Sequence, residues 1–435
     1  MDNFLKGFKV KTAKKKLKIA VVGLGYVGLP LAVEFAKKGF SVLGIDLDKD
    51  RINQLKGKLS YITDVPSSDI KKLIESKKFQ VFSNFVLLKQ ADVIFICVPT
   101  PLKHKYQPNI SYITSAVKSI AKHRKEKALI VLESTTYPGT TEEVILPMLE
   151  NDGSRHGKDF YLCFSPERID PGSNFILKKI PKVCGGIDRA ATELTVMVYK
   201  NIFDKVVPVS TARVAEMVKL LENTFRLINI GLIDELAMMS HKMNIDISEV
   251  INAAKTKPFG FMPFYPGPGV GGHCIPKDPL YLYWKAKHQG FSSRFIKLAS
   301  DTINGMPGYV VKRVEAELSR SGLSLKNARI LVVGVTYKKD VKDLRKSPAL
   351  DIIEILRRAK SFVSYYDPLI PYLKVYNLDL KSVKLTKEVI AAFDCVVIAT
   401  DHSAIDYALI SRHAKLVFDT RNKFPGNKSL NIKRL

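Results

Sequence analysis

A glycine-rich loop carries one thiol and one carboxylate at a spacing that suits covalent catalysis. It reads Tyr265-Pro-Gly-Pro-Gly-Val-Gly-Gly-His-Cys-Ile-Pro-Lys-Asp278, so Cys274 precedes Asp278 by four residues. Glycine has no Cβ, and the loop backbone can therefore turn tightly and lie against a ligand. A thiol held there can attack an electrophilic carbon while the carboxylate moves a proton. Taken alone, the loop fits equally well an ordinary turn with a half-buried cysteine.

A second motif near the N-terminus is typical of dinucleotide binding. The apolar run 17–22 leads into Gly23-Leu-Gly25-Tyr-Val-Gly28, and a helical pattern follows. The first glycine permits the turn, the second lets a pyrophosphate approach the backbone, and the third lets helix and strand pack closely. The helix N-terminus then faces the phosphate charge.

The acid expected at the end of the next strand is also present. Asp46 follows the apolar run 41–45, where it would accept hydrogen bonds from the adenosine ribose and repel a 2′-phosphate. This favours NAD over NADP. The neighbouring Arg51 leaves the alternative open, because an arginine at that place can accommodate the phosphate.

The composition indicates a soluble enzyme of two or three domains. The chain has 435 residues, 46% of them hydrophobic, and no apolar run of membrane-spanning length. Without a secretory signal the expected location is the cytoplasm. Five scattered cysteines without CxxC spacing suggest neither a disulfide framework nor a metal site. The net charge of +27 comes from lysines spread along the chain, so nucleic-acid binding is only a distant alternative.

Three parts follow one another along the chain. Residues 17–205 alternate strand and helix patterns, which predicts a parallel sheet with helices on both faces. The segments Val98–Pro101, with Thr100, and Glu133–Thr136 lie where such strands end, and cofactor loops are expected there. Residues 325–435 resemble a second doubly wound domain, but Gly334 is not followed by a full glycine fingerprint.

The middle part, residues 206–310, is predicted to be helical. A single long helix is expected from about Thr211 to Lys242, with apolar residues recurring every three or four positions. Such a helix needs a partner, and the same helix of a second subunit is the natural hypothesis. Lys219 and Asn223 are four residues apart and therefore share one face of it.

These motifs together resemble the UDP-glucose/GDP-mannose dehydrogenase family. The resemblance covers nearly the whole chain and rests on Gly23–Gly28 with Tyr26 and Val27, Glu133-Ser-Thr135, Ser165-Pro-Glu-Arg168, Lys219-Leu-Leu-Glu-Asn223, Gly271-Gly-His-Cys274 with Asp278, and Lys338-Lys-Asp with Arg345. It implies two Rossmann-like doubly wound domains joined by a long-helix dimerisation region. It also implies the oxidation of a nucleotide-sugar C6 alcohol to a carboxylate with reduction of two NAD.

The resemblance further implies a role for each matching residue. Cys274 is expected to be the nucleophile, Lys219 to stabilise the oxyanion, Asn223 to orient the C6 oxygen and Asp278 to move protons. Thr135 and Glu167 are expected to position the hydrolytic water. The expected NAD contacts are Gly23, Gly25, Tyr26, Val27, Gly28, Asp46, Arg51, Thr100, Thr135 and Arg345. The expected UDP-sugar contacts are Glu167, Arg168, Lys219, Asn223, Tyr265, Gly271 and Lys338.

The sugar is suggested by a departure from the family pattern. UDP-glucose and GDP-mannose members usually read Ser-Pro-Glu-Phe-Leu with a second glutamate, whereas this chain has Ser165-Pro-Glu-Arg-Ile-Asp-Pro171. That sequence resembles members acting on UDP-N-acetylhexosamines, so UDP-N-acetylglucosamine is favoured. UDP-N-acetylmannosamine and UDP-glucose are the alternatives, and a non-catalytic dinucleotide-binding protein is a distant one. Residues 256–273 lack the arginine found in many members, and Arg294 or Lys257 is expected to replace it.

Overall fold

The protein is described by a computed structural model covering residues 3–62, 64–103, 106–168, 176–426 and 429–435. The chain forms two compact units, the first from Met1–Glu222 and Leu280–Gly290 and the second from Asn223–Pro279 and Phe291–Leu435. Within the described ranges, no helix is both long and apolar enough to cross a membrane.

The first unit is built on an eight-stranded sheet with the order β3-β2-β1-β4-β5-β6-β7-β8. Its strands are β1 (Lys18–Val22), β2 (Ser41–Ile45), β3 (Phe79–Phe82), β4 (Val93–Ile96), β5 (Ala128–Leu132), β6 (Phe160–Phe164), β7 (Lys182–Gly186) and β8 (Val206–Pro208). All neighbouring pairs are parallel except β6 and β7, which are antiparallel. The predicted parallel sheet is therefore interrupted once, towards its far edge.

Apolar side chains on both faces of this sheet form its core. In β5, for example, Leu129 and Val131 belong to one buried cluster and Ile130 and Leu132 to another. Successive strand residues point to opposite faces, so a strand covered on both sides must be apolar throughout. The covering helices are α1 (Asn3–Ala13), α2 (Gly28–Lys37), α3 (Lys49–Lys56), α4 (Ser67–Glu75), α5 (Ser111–His123), α6 (Leu146–Glu150) and α7 (Arg189–Tyr199).

Three helices follow, two of which contribute residues to both units. Helix α8 (Ala212–Lys242) is continuous over 31 residues, as its apolar period predicts. Helix α9 (Ile247–Ala254) comes next, and α10 (Asp278–His288) begins at the carboxylate of the cysteine loop.

The second unit contains a five-stranded parallel sheet with the order β10-β9-β13-β14-β15. Its strands are β9 (Arg329–Val333), β10 (Phe362–Tyr366), β13 (Cys395–Ile398), β14 (Val417–Asp419) and β15 (Ile432–Arg434), and β11 (Tyr372–Val375) pairs with β12 (Leu378–Lys381) as an antiparallel hairpin. Its remaining helices are α11 (Arg294–Arg320), α12 (Pro348–Arg358), α13 (Lys387–Ala391) and α14 (Tyr407–His413). Buried apolar clusters again form on both sheet faces, which confirms the predicted doubly wound fold class.

The first turn of each unit is built in the same way. Gly23 has a φ of 90° and its N–H donates to Ile45 O, while Gly334 has a φ of 80° and its N–H donates to Tyr366 O. In both cases the glycine follows the first strand and the acceptor is the last residue of the adjacent parallel strand. The left-handed conformation is open to glycine without strain, so each turn can be this tight.

Candidate functional site

The first glycine turn of unit 1 has the shape that a pyrophosphate requires. A Cβ on Gly28 would lie 1.8 Å from Gly23 O, so this glycine lets the start of α2 pack directly on the turn. A Cβ on Gly25 would meet only Nη1 of Arg51, at 3.9 Å, and thus points into open space. Tyr26 is exposed and Val27 half-buried beside it. The turn therefore presents an uncovered backbone at a helix N-terminus, which fits the pyrophosphate of NAD.

Asp46 lies directly against this turn. Its Oδ2 accepts a hydrogen bond from Leu24 N at 2.8 Å, and its Oδ1 accepts one from Asp48 N at 2.9 Å. Arg51 is bound to both acids, with Nη1 3.3 Å from Asp46 Oδ2 and Nε 3.4 Å from Asp48 Oδ2. Two carboxylates thus offset the Arg51 guanidinium, which could otherwise accommodate a 2′-phosphate, and the local charge favours NAD.

Two predicted cofactor residues meet at the carboxyl edge of the first sheet. Thr100 follows β4 and its Oγ1 donates to the backbone oxygen of Thr135 at 2.7 Å. The buried hydroxyl of Tyr281, on α10, donates to Thr100 O. Residues from three elements thus converge where the cofactor rule for parallel sheets places the ligand.

A buried charge cluster, which the sequence did not suggest, holds Glu167. Lys182 Nζ lies 2.6 Å from Glu133 Oε2 and 3.3 Å from Glu167 Oε2, and the Tyr199 hydroxyl donates to Glu133 Oε1. Burial raises the pKa of Glu133 to about 7, against the opposing effect of Lys182. Burial alone would lower the pKa of Lys182. The two carboxylates raise it by more, so the pKa lies above its ordinary value. Two acids facing one ammonium can hold a proton near neutral pH.

Arg168, expected to contact the substrate, is engaged within unit 1. Its Nη2 lies 2.6 Å from Glu222 Oε1, its Nε donates to Glu222 Oε2 at 3.2 Å, and its Nη1 donates to Pro181 O at 2.7 Å. This two-pronged pair ties the Ser165–Arg168 segment to α8. The distinctive Asp170 and Pro171 lie outside the described residues.

The predicted pair on α8 is buried. Lys219 is 7% and Asn223 5% exposed, which is unusual for such side chains. In unit 2, Asn223 Nδ2 donates to Asp278 Oδ2 at 2.7 Å. The structure therefore brings together an amide and a carboxylate that lie 55 positions apart in the sequence.

The cysteine loop is wedged against the loop that follows β9. A Cβ on Gly271 would lie 2.5 Å from both Lys346 O and the Tyr337 Cβ, so only glycine fits there. Gly272 has a φ of 86°, and its N–H donates to Arg345 O at 2.8 Å. The loop thus holds its shape through backbone packing that side chains would prevent.

Cys274 itself is half-buried, and its carbonyl begins the turn into α10. Its oxygen accepts from Lys277 N at 3.0 Å and from Asp278 N at 2.8 Å. The pKa of the adjacent His273 is lowered to about 4. Burial is the main cause, and the positive charges of Lys277 and Arg345 add to it. His273 is therefore neutral at physiological pH, and the buried Lys277 is the cation nearest in sequence to the thiol within this unit.

Three more predicted residues lie in unit 2. Lys338 is half-buried in the loop after β9, and Tyr265 is exposed at the start of the cysteine loop. Arg345 is exposed, and its guanidinium forks onto the Asp343 carboxylate at 2.5 to 3.0 Å.

A guanidinium that the sequence did not reveal also reaches the cysteine loop. Arg421 Nη1 would lie 2.8 Å from a Cβ on Gly267, and the Gly267 N–H donates to Oδ1 of the buried Asp234 at 3.0 Å. Burial raises the pKa of Asp234 to about 7. Arg421 enters from the end of β14, 154 positions beyond Gly267, so no local sequence pattern could have linked the two. Lys257, one predicted source of a cation, instead lies over the Phe259 ring.

Comparisons with known proteins agree with this geometry. Three models of the UDP-glucose/GDP-mannose dehydrogenase family match the chain: the NAD binding domain at residues 17–203, the central domain at 213–304 and the UDP binding domain at 331–425. A UDP-N-acetyl-D-glucosamine 6-dehydrogenase of Pseudomonas aeruginosa is 39% identical over 357 residues, covering 81% of this chain and 83% of that protein. A UDP-N-acetyl-D-mannosamine dehydrogenase of Pyrococcus horikoshii is 36% identical over 417 residues, covering 93% and 96%.

Solved structures give the same result. That of the UDP-D-ManNAc dehydrogenase from Pyrococcus horikoshii matches with a TM-score of 0.87 and 33% identity over 96% of this chain and 99% of the other. The native structure of a UDP-N-acetyl-mannosamine dehydrogenase from Staphylococcus aureus matches with a TM-score of 0.80 and 32% identity, covering 96% and 97%. The chain therefore belongs to the UDP-glucose/GDP-mannose dehydrogenase family and is an NAD-dependent nucleotide-sugar dehydrogenase.

Proposed function

We propose that this enzyme oxidises the C6 alcohol of a UDP-N-acetylhexosamine to the carboxylate, with UDP-N-acetylglucosamine as the favoured substrate. The observation that carries the proposal is the cysteine loop, in which a half-buried thiol stands four residues before a carboxylate bound to Asn223. An alcohol-to-acid oxidation needs a covalent stage after the aldehyde, and a thiol supplies it. An alcohol-to-ketone oxidation would have no use for that thiol.

The residues divide the chemistry as follows. Asn223 orients the C6 oxygen, and Asp278, to which its amide is bound, takes part in the proton transfers. The Cys274 thiolate adds to the aldehyde carbon, and the resulting thiohemiacetal loses a hydride to become a thioester. Lys219 stabilises the oxyanion in its buried position. Water, positioned by Thr135 and Glu167, then cleaves the thioester to release the carboxylate and regenerate the thiol.

The bound cofactor would supply the hydride acceptor for each of the two oxidation stages. The glycine turn and Asp46 would hold its pyrophosphate and ribose, and the open side of Gly25 leaves room for the phosphates. Tyr26, Val27, Thr100 and Thr135 are the further contacts that we assign to it, and the cofactor contact of Arg345 stays a prediction from the resemblance.

The UDP part of the substrate belongs to the second unit in this proposal. Lys338 and Gly271 meet it from two loops that touch each other, and Tyr265 and the guanidinium of Arg421 flank the cysteine loop. A guanidinium is well suited to a diphosphate because its fork of N–H donors matches phosphate oxygens. Glu167 and Arg168 are assigned to the sugar side.

The identity of the sugar is tested by the first experiment. NADH formation is measured with UDP-N-acetylglucosamine, UDP-N-acetylmannosamine and UDP-glucose, each with NAD. We expect two NADH for every UDP-N-acetylglucosamine consumed, and little from UDP-glucose. UDP-N-acetylmannosamine is the second candidate, because the Pyrococcus horikoshii enzyme named for it aligns over more of the chain and has a similar structure. Preference for UDP-glucose would overturn the assignment to N-acetylhexosamines.

The role of Cys274 has its own test. In Cys274→Ser we expect NADH formation to be lost while UDP-sugar binding, measured by calorimetry, is kept. Cys395→Ala is the matched control, since it removes a buried thiol from the sheet of the same unit and should stay active. Normal NADH formation by the serine variant would remove the covalent stage from the mechanism.

We further propose that the enzyme is a dimer formed through α8. Met217, Leu221, Phe225, Leu232 and Met239 are all exposed on this helix, at intervals of four and seven residues. That spacing makes one continuous apolar stripe, which needs a partner in water. We place the reaction in the cytoplasm, where a catalytic thiol stays reduced.

A further inference from the structure

A fully buried histidine outside the proposed catalytic set is hydrogen-bonded to the loop that carries Lys338. His402 follows β13, and its ring is 0% exposed. Its Nδ1 accepts a hydrogen bond from Asp340 N at 2.9 Å. Because Nδ1 accepts, the ring proton resides on Nε2, which faces Thr336 Oγ1 at 3.0 Å and Asp367 Oδ2 at 3.1 Å.

The two ring nitrogens hold the loop on both sides of Lys338. The Thr336 hydroxyl, which shares the Nε2–H donor with Asp367 Oδ2, itself donates to Lys338 O at 2.9 Å. Asp340, two residues beyond Lys338, has a φ of 59°, in the left-handed region that few residues other than glycine adopt. One imidazole therefore fixes the backbone on either side of the lysine.

The acid behind the histidine anchors it to the sheet. Asp367 follows β10, and its Oδ2 also accepts from Val335 N at 2.7 Å, while its Oδ1 accepts from Leu369 N at 2.8 Å. Asp46 accepts from Leu24 N in the same way in unit 1, where the outer side of that acid is proposed to bind a ribose. In unit 2 the imidazole of His402 lies against the corresponding acid, Asp367. The glycine turn at Gly334 thus helps to hold the loop that carries Lys338.

The loop held by His402, residues 336–346, packs in turn against the cysteine loop. Tyr337 and Lys346, at its two ends, pack against Gly271, and Arg345 O accepts the Gly272 N–H. The Tyr337 N–H donates to Asp343 O at 3.0 Å and closes the loop on itself. Displacement of the 336–340 backbone would therefore move the wall against which Gly271 and Gly272 lie.

We infer that His402 is a positioning residue for the UDP-sugar site, which fixes Lys338 and, through Tyr337, the loop of Cys274. The inference rests on the proposed function for the meaning of that site. It predicts that the two ring nitrogens have separable effects, because only the Nδ1 side holds the Asp340 N–H. Asparagine can place an acceptor near the Nδ1 position, whereas glutamine places its amide near the Nε2 position.

The test compares His402→Asn with His402→Gln by hydrogen exchange and kinetics. In the glutamine variant we expect the Asp340 amide to exchange about tenfold faster and the KM for the UDP-sugar to rise about tenfold, while the KM for NAD stays unchanged. The asparagine variant should recover most of both losses. Equal behaviour of the two variants, or a parallel rise in the KM for NAD, would overturn the inference.

Two further variants keep the test decisive. Thr336→Val, close in shape, removes the hydroxyl between Nε2 and Lys338 O and is expected to raise the KM for the UDP-sugar even if the glutamine variant does not fold. Ser403→Ala removes only the exposed hydroxyl contact to the Asp340 carboxylate, leaves the hydrogen bond from the Ser403 N–H in place, and should change neither quantity. A normal KM in Thr336→Val, or a serine effect as large as that of glutamine, would contradict the inference. Hydrogen exchange needs no substrate, so it tests the grip on the loop even if the wild-type enzyme oxidises no UDP-sugar.

Discussion

The glycine turn of unit 1 allows cofactor binding to be separated from folding with two single methyl groups. In Gly28→Ala the new Cβ would lie 1.8 Å from Gly23 O, far inside any contact distance, and both are backbone positions that a rotamer change cannot relieve. We expect a loss of about 2–4 kcal/mol in stability, the usual range for overpacking a rigid site or somewhat above it. For a domain of this size the unfolding midpoint should then fall by roughly 5–15 °C.

In Gly25→Ala the same methyl group enters open space. Its nearest neighbour would be Nη1 of Arg51 at 3.9 Å, and the φ of Gly25 is outside the left-handed region. The folded protein should therefore tolerate the change, with a stability within about 0.5 kcal/mol of wild type. NAD is a different matter, because the methyl group would occupy the space into which the pyrophosphate must come. We expect affinity for NAD to fall by about tenfold or more, equivalent to at least about 1.4 kcal/mol.

The assay combines thermal unfolding with calorimetric titration of NAD. Gly7→Ala is the matched control, because Gly7 lies on the exposed side of α1 with nothing within 4 Å of a new Cβ. It should leave NAD affinity unchanged. Wild-type NAD affinity in Gly25→Ala would refute the placement of the pyrophosphate on this turn. A fully stable Gly28→Ala would refute the packing argument.

Three other predictions concern the mechanism, the pH dependence and the assembly. Lys219→Ala should lower kcat by roughly a hundredfold to a thousandfold, the usual effect of losing one oxyanion donor, and a near-normal rate would exclude the residue from the chemistry. The pKa of Asp234 is about 7 in the folded protein against an ordinary value of 3.8, so the folded state binds the extra proton and stability is lost as pH rises through this interval. Asp234→Asn cannot ionise, and its stability relative to wild type should increase from about pH 4 to about pH 7, by at most about 4 kcal/mol in denaturant titrations; a constant difference would contradict the raised pKa. Leu221→Lys with Phe225→Lys should produce a monomer in sedimentation velocity, and an unchanged dimer would place the interface elsewhere.

The sequence specified the two doubly wound units well because their patterns are local. Glycine turns, apolar strand runs and the apolar period of the 31-residue α8 each depend on residues that are close in the chain. The antiparallel β7 was less accessible. It pairs with β6 in the antiparallel direction, and a run such as Lys182–Gly186 carries no mark of strand direction.

The sequence offered site residues where a motif was contiguous and offered none where charge partners are distant in the chain. Asn223 and Asp278 were both proposed, and the structure adds a hydrogen bond between them. Lys182 looks like any lysine near a strand, although Glu133 and Glu167, which make its burial tolerable, come 49 and 15 positions earlier. His402 and Arg421 were missed for the same reason, since their partners are brought to them only by the folded sheet of unit 2.

The unequal burial of the thiols makes this enzyme unusually convenient to label. Cys97, Cys163, Cys184 and Cys395 are buried, while Cys274 alone is partly open to solvent. A maleimide reagent applied to the folded protein should therefore attach to one position without any need to engineer a cysteine-free background. Counting the attached groups by mass would give the fraction of competent sites in a preparation. Because the label would block the proposed nucleophile, we expect NADH formation to fall in proportion to the fraction of chains that carry it.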